Sequence, residues 1–224
     1  MNDPLSHFDD TSDTAKPQFQ SGNKYNIYED PNVEPIAPNS KDFTNLTFNF
    51  AVVTNGEVPE DIAEDIVKIG EVLYSKGFKF RFNGDSRSST GISLVAKNPG
   101  KVDVFLPFKK FNTDLNATIT KPSPTAYGHA AYYHKGFKKL PNFVRAMISI
   151  DTHLVLGAES KAPIKFLICY SDDGAETKKD IDYKKTGFAS FLIGMCCDLD
   201  IPVFNLGKSG SKERLSSYVK TLTE

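Results

Sequence analysis

The chain lacks any run of about 18 apolar residues and has no charged-then-apolar amino terminus, so neither a membrane span nor a signal peptide is expected. Cysteine is scarce. Three thiols cannot all pair internally, and Cys169, Cys196 and Cys197 lie inside apolar strand and helix patterns, so they read as reduced core residues of a cytoplasmic protein. There is almost no net charge, −1 in total, and no basic run interleaved with aromatics. Those absences argue against duplex and single-stranded nucleic acid as partners. Arginine is rare, with only Arg81, Arg87, Arg145 and Arg214 to offer a guanidinium fork to an anion.

Several chemistries lack their residues. No Gly-x-Ser-x-Gly elbow is present to support a serine nucleophile. Gly207-Lys208-Ser209 follows a strand, but Pro202 stands where a P-loop needs glycine, so the segment reads as a linker into the last helix. His129 and His134 are five residues apart and diverge on a helix, which leaves no spaced metal-ligand set. No metal and no cofactor are expected, and no internal repeat is seen.

What the chain does contain falls into two parts. Residues 1–45 hold eight Asp or Glu against three Lys, with Pro4, Pro17, Pro31, Pro35 and Pro38 and no periodicity. Such a composition does not fold alone. It reads as an irregular acidic arm on a mildly basic body, and Phe8, Phe19, Tyr25, Tyr28 and Phe43 could anchor it on its own domain, a second subunit or a protein partner. The remaining residues, 46–224, suit one domain, large enough to bury roughly 70% of its unfolded surface without disulfides or metals.

Within that domain Leu46–Thr54 predicts a strand, and Pro59 opens a helix whose stripe is Ile62, Ile66, Ile69 and Leu73. Phe78–Phe82 is a second strand that runs into a small polar loop, Asn83 to Gly91. Val102–Leu106 is a third strand, followed by a loop over 107–121. Helices are expected at 124–135 and 142–156, the second with Phe143, Met147, Ile150 and Leu154 on one face. Residues 107–157 thus form a helical excursion. Ile164–Tyr170, a helix repeating at 188, 191, 192, 195, 196 and 199, and Ile201–Leu206 then make a β-α-β crossover. Lys212–Leu222 is a final helix with Ser211 as its cap. The order β-α-β-α-β-α-α-β-α-β-α describes an α/β fold, a parallel sheet flanked by helices.

Four segments carry a resemblance: VVTNGEVPEDIAEDIVKIGEVLYSKGFKFR (52–81), VFLPFKKFN (104–112), FVRAMISIDTHLVLG (143–157), and FLICYSDDG with TGFAS and IPVFNL (166–206). Together they resemble the SLOG superfamily of Rossmann-like domains, which unites the LOG phosphoribohydrolases with the DNA-processing protein Smf/DprA. Within that superfamily the chain resembles SLOG-type proteins of large bacteriophages, which implies the host cytoplasm as its location. The resemblance implies a nucleotide-like ligand at the carboxyl edge of the sheet and a homo-oligomer, a dimer above all, with the helices at 124–156 as interface. Departures bear on activity. LOG enzymes carry a Pro-Gly-Gly-x-Gly-Thr-x-x-Glu signature, whereas this chain has Lys184-Lys185-Thr186-Gly187-Phe188-Ala189 with no acid at that helix turn. The expectation is ligand binding with weak or no turnover, N-glycosidic hydrolysis and an interaction protein built on the arm being the alternatives.

The site residues follow from the edge loops. Thr54, Asn55 and Gly56 leave the first strand, and Asn83, Gly84, Ser86 and Arg87 leave the second. Ser171, Asp172 and Gly174 leave the fourth strand, while Thr186 and Gly187, read as a helix start, offer N–H groups to a phosphate beside Lys184 and Lys185. Arg145 is a further anion fork. Asp85, Asp172 and Asp173 are candidates for ribose hydroxyls or for a general base, Asp85 and Asp173 being the two catalytic candidates.

Overall fold

A computed structural model describes residues 33–43, 48–54, 58–85, 88–109, 111–112 and 114–224. Strands β1 (Asn49–Thr54), β2 (Lys79–Phe82), β3 (Val102–Val104), β4 (Phe166–Tyr170) and β5 (Val203–Asn205) form one all-parallel sheet in the order β3-β2-β1-β4-β5. Their apolar runs are nearly continuous because both faces are covered. Alternate residues divide between two cores. Phe50, Phe80, Phe82, Phe166, Ile168 and Phe204 face one side, and Ala51, Leu167 and Cys169 the other.

Helices α1 (Glu60–Ser75), α2 (Ser89–Lys97) and α7 (Ser211–Thr223) cover the phenylalanine-rich face through Ile66, Leu73, Leu94, Leu215 and Val219. Helices α4 (Asn142–Leu156) and α6 (Ala189–Asp198) cover the other through Ile150, Leu154, Leu192 and Met195, and α3 (Pro124–Tyr133) packs outside α4. Two faces are needed because right-handed crossovers running outward from β1 and from β4 place their helices on opposite sides. The order therefore reverses between β1 and β4, and a crevice at such a reversal is the ordinary ligand position in this architecture.

Four local readings are corrected. The polar loop after β2 is shorter than expected, since Ser88 caps α2, its hydroxyl accepting from the Gly91 N–H at 3.1 Å. Phe143 is 52% exposed, so α4 buries Ala146, Ile150 and Leu154 without it. Thr186 closes a single turn, α5 (Tyr183–Thr186), and Gly187 at φ 53° separates it from α6. A positive φ is readily available to glycine, and it breaks what periodicity reads as one helix. Ser211 is the first residue of α7, the cap being Gly210.

Of the amino-terminal arm, residues 1–32 lie outside the described residues, while 33–36 lie on the helical excursion and Phe43 packs against the core beneath α4 and α6. Val33 packs against the cluster of Tyr127, Ala130, Phe137 and Ile148. The Ile36 N–H donates to the Gly128 carbonyl at 3.0 Å, and His129 Nδ1 donates to the Ile36 carbonyl at 2.8 Å. Among the described residues no helix is long and apolar enough to cross a membrane.

Candidate functional site

The carboxyl edge of the sheet presents three polar loops, after β2, β4 and β5. Thr54 ends β1, half-buried, in register with Tyr170 at the end of β4. Asn55, Gly56, Ser86 and Arg87 lie outside the described residues.

The loop after β4 is knotted to itself and to β5. Asp173 accepts from the Ser171 hydroxyl at 2.6 Å, from the Ala175 N–H at 3.3 Å, from the Asp182 N–H at 3.0 Å and from the Thr186 hydroxyl. Partial burial alone would raise its pKa. The two hydroxyls and two N–H groups outweigh it and hold the carboxyl below the ordinary aspartate range. A general base in waiting needs the opposite environment, so Asp173 serves as the anchor of the loop. Asn205 completes the knot. Its amide donates to the Ser171 hydroxyl at 2.7 Å and to the Ala175 carbonyl at 2.9 Å, and its Oδ1 accepts from the N–H groups of Ser171 and Gly207. Ser171, Asp173 and Thr186 are thus brought together, but their polar atoms are committed to one another. Asp172 remains exposed, accepting from the Tyr170 hydroxyl at 3.2 Å, and Gly174 packs beside Lys208.

From the loop after β4, Glu176 reaches the segment beyond β5, binding both Lys208 at 3.1 Å and Arg214 at 2.5 Å while accepting from the Asn205 N–H and the Ser211 hydroxyl. A cavity of about 330 Å³, lined by Leu206–Glu213, lies at the start of α7. Its lining cations are committed, Lys208 to Glu176 and Lys212 to Asp65.

The tip of β2 has a different character. Arg81, buried in mid-strand, donates to the carbonyls of Leu154, Val155 and Ala162 and ties the carboxyl end of α4 to the sheet. Burial lowers its pKa to about 10, with Asp103 opposing. Two residues on, along the same face of the strand, the Asn83 amide donates to Asp151 Oδ1 of α4 at 2.8 Å. The Asp85 N–H folds back onto Asn83 Oδ1 at 3.2 Å, through Gly84 at φ 72°, whose carbonyl accepts from Asn112. A β-carbon at Gly84 would stand 2.2 Å from a Leu106 methyl, so the tight turn that presents Asp85 needs glycine. Burial raises the Asp151 carboxyl to about 7, Asn83 opposing and Asp85 adding to the shift.

Asp151 was not among the residues singled out from the sequence. The available signal was that it is the only charged side chain in Ala146–Leu156. Arg145, expected as an anion fork, extends its guanidinium to the Asn142 side chain on its own helix. Other buried polar groups are structural. His153 donates through Nδ1 to the Gly157 carbonyl at 2.7 Å and accepts at Nε2 from the Ser123 N–H, and burial lowers its pKa to about 4.

Compared with known proteins, the chain matches no family model, no curated protein and no solved structure.

Proposed function

We propose that this chain is a SLOG-type domain that binds a nucleotide or nucleotide-derived ligand in the crevice at the carboxyl edge, with weak or no turnover. The observation that carries the reading is the reversal of strand order between β1 and β4, with the polar loops after β2 and β4 flanking it. The committed state of Asp173 supports binding over chemistry, since the loop it anchors is a rigid wall with no base to spare. A thermal-shift screen across nucleoside mono-, di- and triphosphates, cyclic nucleotides and ADP-ribose tests it. Stabilisation by at least one of them is expected, and a flat response across the set would overturn the reading.

A second reading, N-glycosidic hydrolysis of a nucleoside monophosphate, has one observation in its favour. Asp151 titrates near neutrality, where a carboxyl can donate a proton to a departing base. Base release followed by chromatography decides it, and none at high enzyme concentration eliminates it. The same proposal makes the protein a dimer through the 124–156 helices, whose Tyr132 and Phe143 are about half exposed. Light scattering that gives a monomer would remove that part alone.

A further inference from the structure

Where the acidic arm is described, apolar side chains and an ion pair hold it. Val33 packs against the cluster of Tyr127, Phe137 and Ile148, and Glu34 beside it pairs with Lys138 at 3.3 Å. The segment just upstream repeats that order of residue types. Ile27 and Tyr28 are followed by Glu29 and Asp30, and only Pro31 and Asn32 separate these from Val33. Residues 1–32 as a whole carry six acids against two lysines.

The surface beside Val33 has the complementary character. Phe191 of α6 packs against the same cluster as Val33. Phe188 stands three residues earlier, at the cap of α6 and on the same side of it, and is 37% exposed. Tyr183, which opens the α5 turn packed on that helix start, is 56% exposed. Lys184 and Lys185 follow it, both exposed, and the Lys184 ammonium forms no ion pair among the described residues. The acids of this segment are engaged locally. Asp180 accepts from the Thr177 N–H at 3.2 Å and from its hydroxyl at 2.9 Å, and Asp182 caps α5 by accepting from the Lys184 N–H at 3.1 Å.

We propose that residues 25–30 dock on the α5–α6 corner of their own chain, with Ile27 and Tyr28 on Tyr183 and Phe188 and with Glu29 and Asp30 opposite Lys184. Extended chain from Val33 spans up to about 18 Å to Tyr28 and about 28 Å to Tyr25, and Phe188 lies one helical turn from the Phe191 that shares the Val33 cluster. So short a tether holds the segment at a high local concentration, which favours the chain's own arm over that of a second copy. The Thr186 hydroxyl fastens α5 to Asp173, so the docked arm lies against the outer wall of the loop after β4. The inference does not depend on what the crevice binds.

Hydrogen exchange read by mass spectrometry on the full chain tests it. In the wild type the amides of 25–30 should exchange at least about tenfold more slowly than unstructured chain. Tyr183→Ser should return them to nearly unstructured rates. Lys184→Glu should cut their protection by about two- to fivefold, the worth of an exposed ion pair, and Glu29→Lys added to it should restore what was lost. Both replaced side chains are exposed, so β1 and β4 should keep their protection in each variant. Unprotected amides at 25–30 in the wild type would overturn the docking. Protection that both single variants leave unchanged would move the arm to another surface and overturn it equally. Protection that falls as the protein is diluted would assign the corner to the arm of a second copy and overturn docking within one chain.

Discussion

Replacing Asp151 by asparagine should stabilise the protein at neutral pH and leave its stability in acid unchanged. The carboxyl is held at about 7 in the folded chain against a reference of 3.8. Below the reference value both states carry the proton and the site costs nothing. As pH rises from about 4 to about 7 the unfolded chain ionises first, so the folded state loses stability across that window and stays at the lower level above it. The full shift corresponds to about 4 kcal/mol as an upper bound. Asp151 keeps some solvent access and Asn83 donates to it, so about 1–3 kcal/mol is the working figure. Asparagine cannot ionise and still accepts from Asn83. Urea unfolding at pH 4, 6 and 8 should therefore show the variant ahead of the wild type by about 1–3 kcal/mol at pH 8 and level with it at pH 4. A difference independent of pH, or a variant weaker at pH 8, would refute the environment assigned to this carboxyl.

His153 carries the opposite sign. Its folded pKa of about 4 lies below the ordinary 6.5, so stability should fall as pH drops through that interval, by at most about 3 kcal/mol. His153→Gln should flatten that acid limb in a pH series of thermal melts. Asp173→Ala leaves Ser171, Thr186 and two N–H donors without their acceptor and should cost about 2–4 kcal/mol in urea unfolding. Gly128→Val should lift the arm, because a β-carbon there would stand 2.7 Å from the Ile36 side chain. Hydrogen exchange should then accelerate at 33–39 while the sheet keeps its protection, and unchanged exchange in the arm would show that the contact is not what holds it.

How far the fold was legible depended on how local its causes are. The strands and helices α1, α3 and α4 follow from runs and stripes read within one window, and the parallel order followed from alternating β and α signals. The α5–α6 break was not legible, because it rests on Gly187 adopting φ 53° and on the Thr186 hydroxyl being taken by Asp173, thirteen residues away. The site shows the same division. The edge loops were found because carboxyl ends of parallel strands are predictable places. The roles inside them were not, since whether an aspartate is satisfied or strained is decided by partners on other elements: four donors for Asp173, and burial beside Asp85 for Asp151. Asn205 and Glu176, which lock the loops after β4 and β5 together, sit in segments whose composition gave no hint of those bonds.

Native mass spectrometry of freshly purified protein tests the binding claim most directly. The account predicts a mass increment equal to a nucleotide, or its appearance on adding the panel, with the increment released on denaturation. A bare polypeptide mass that stays bare after incubation with every member of the panel would contradict it.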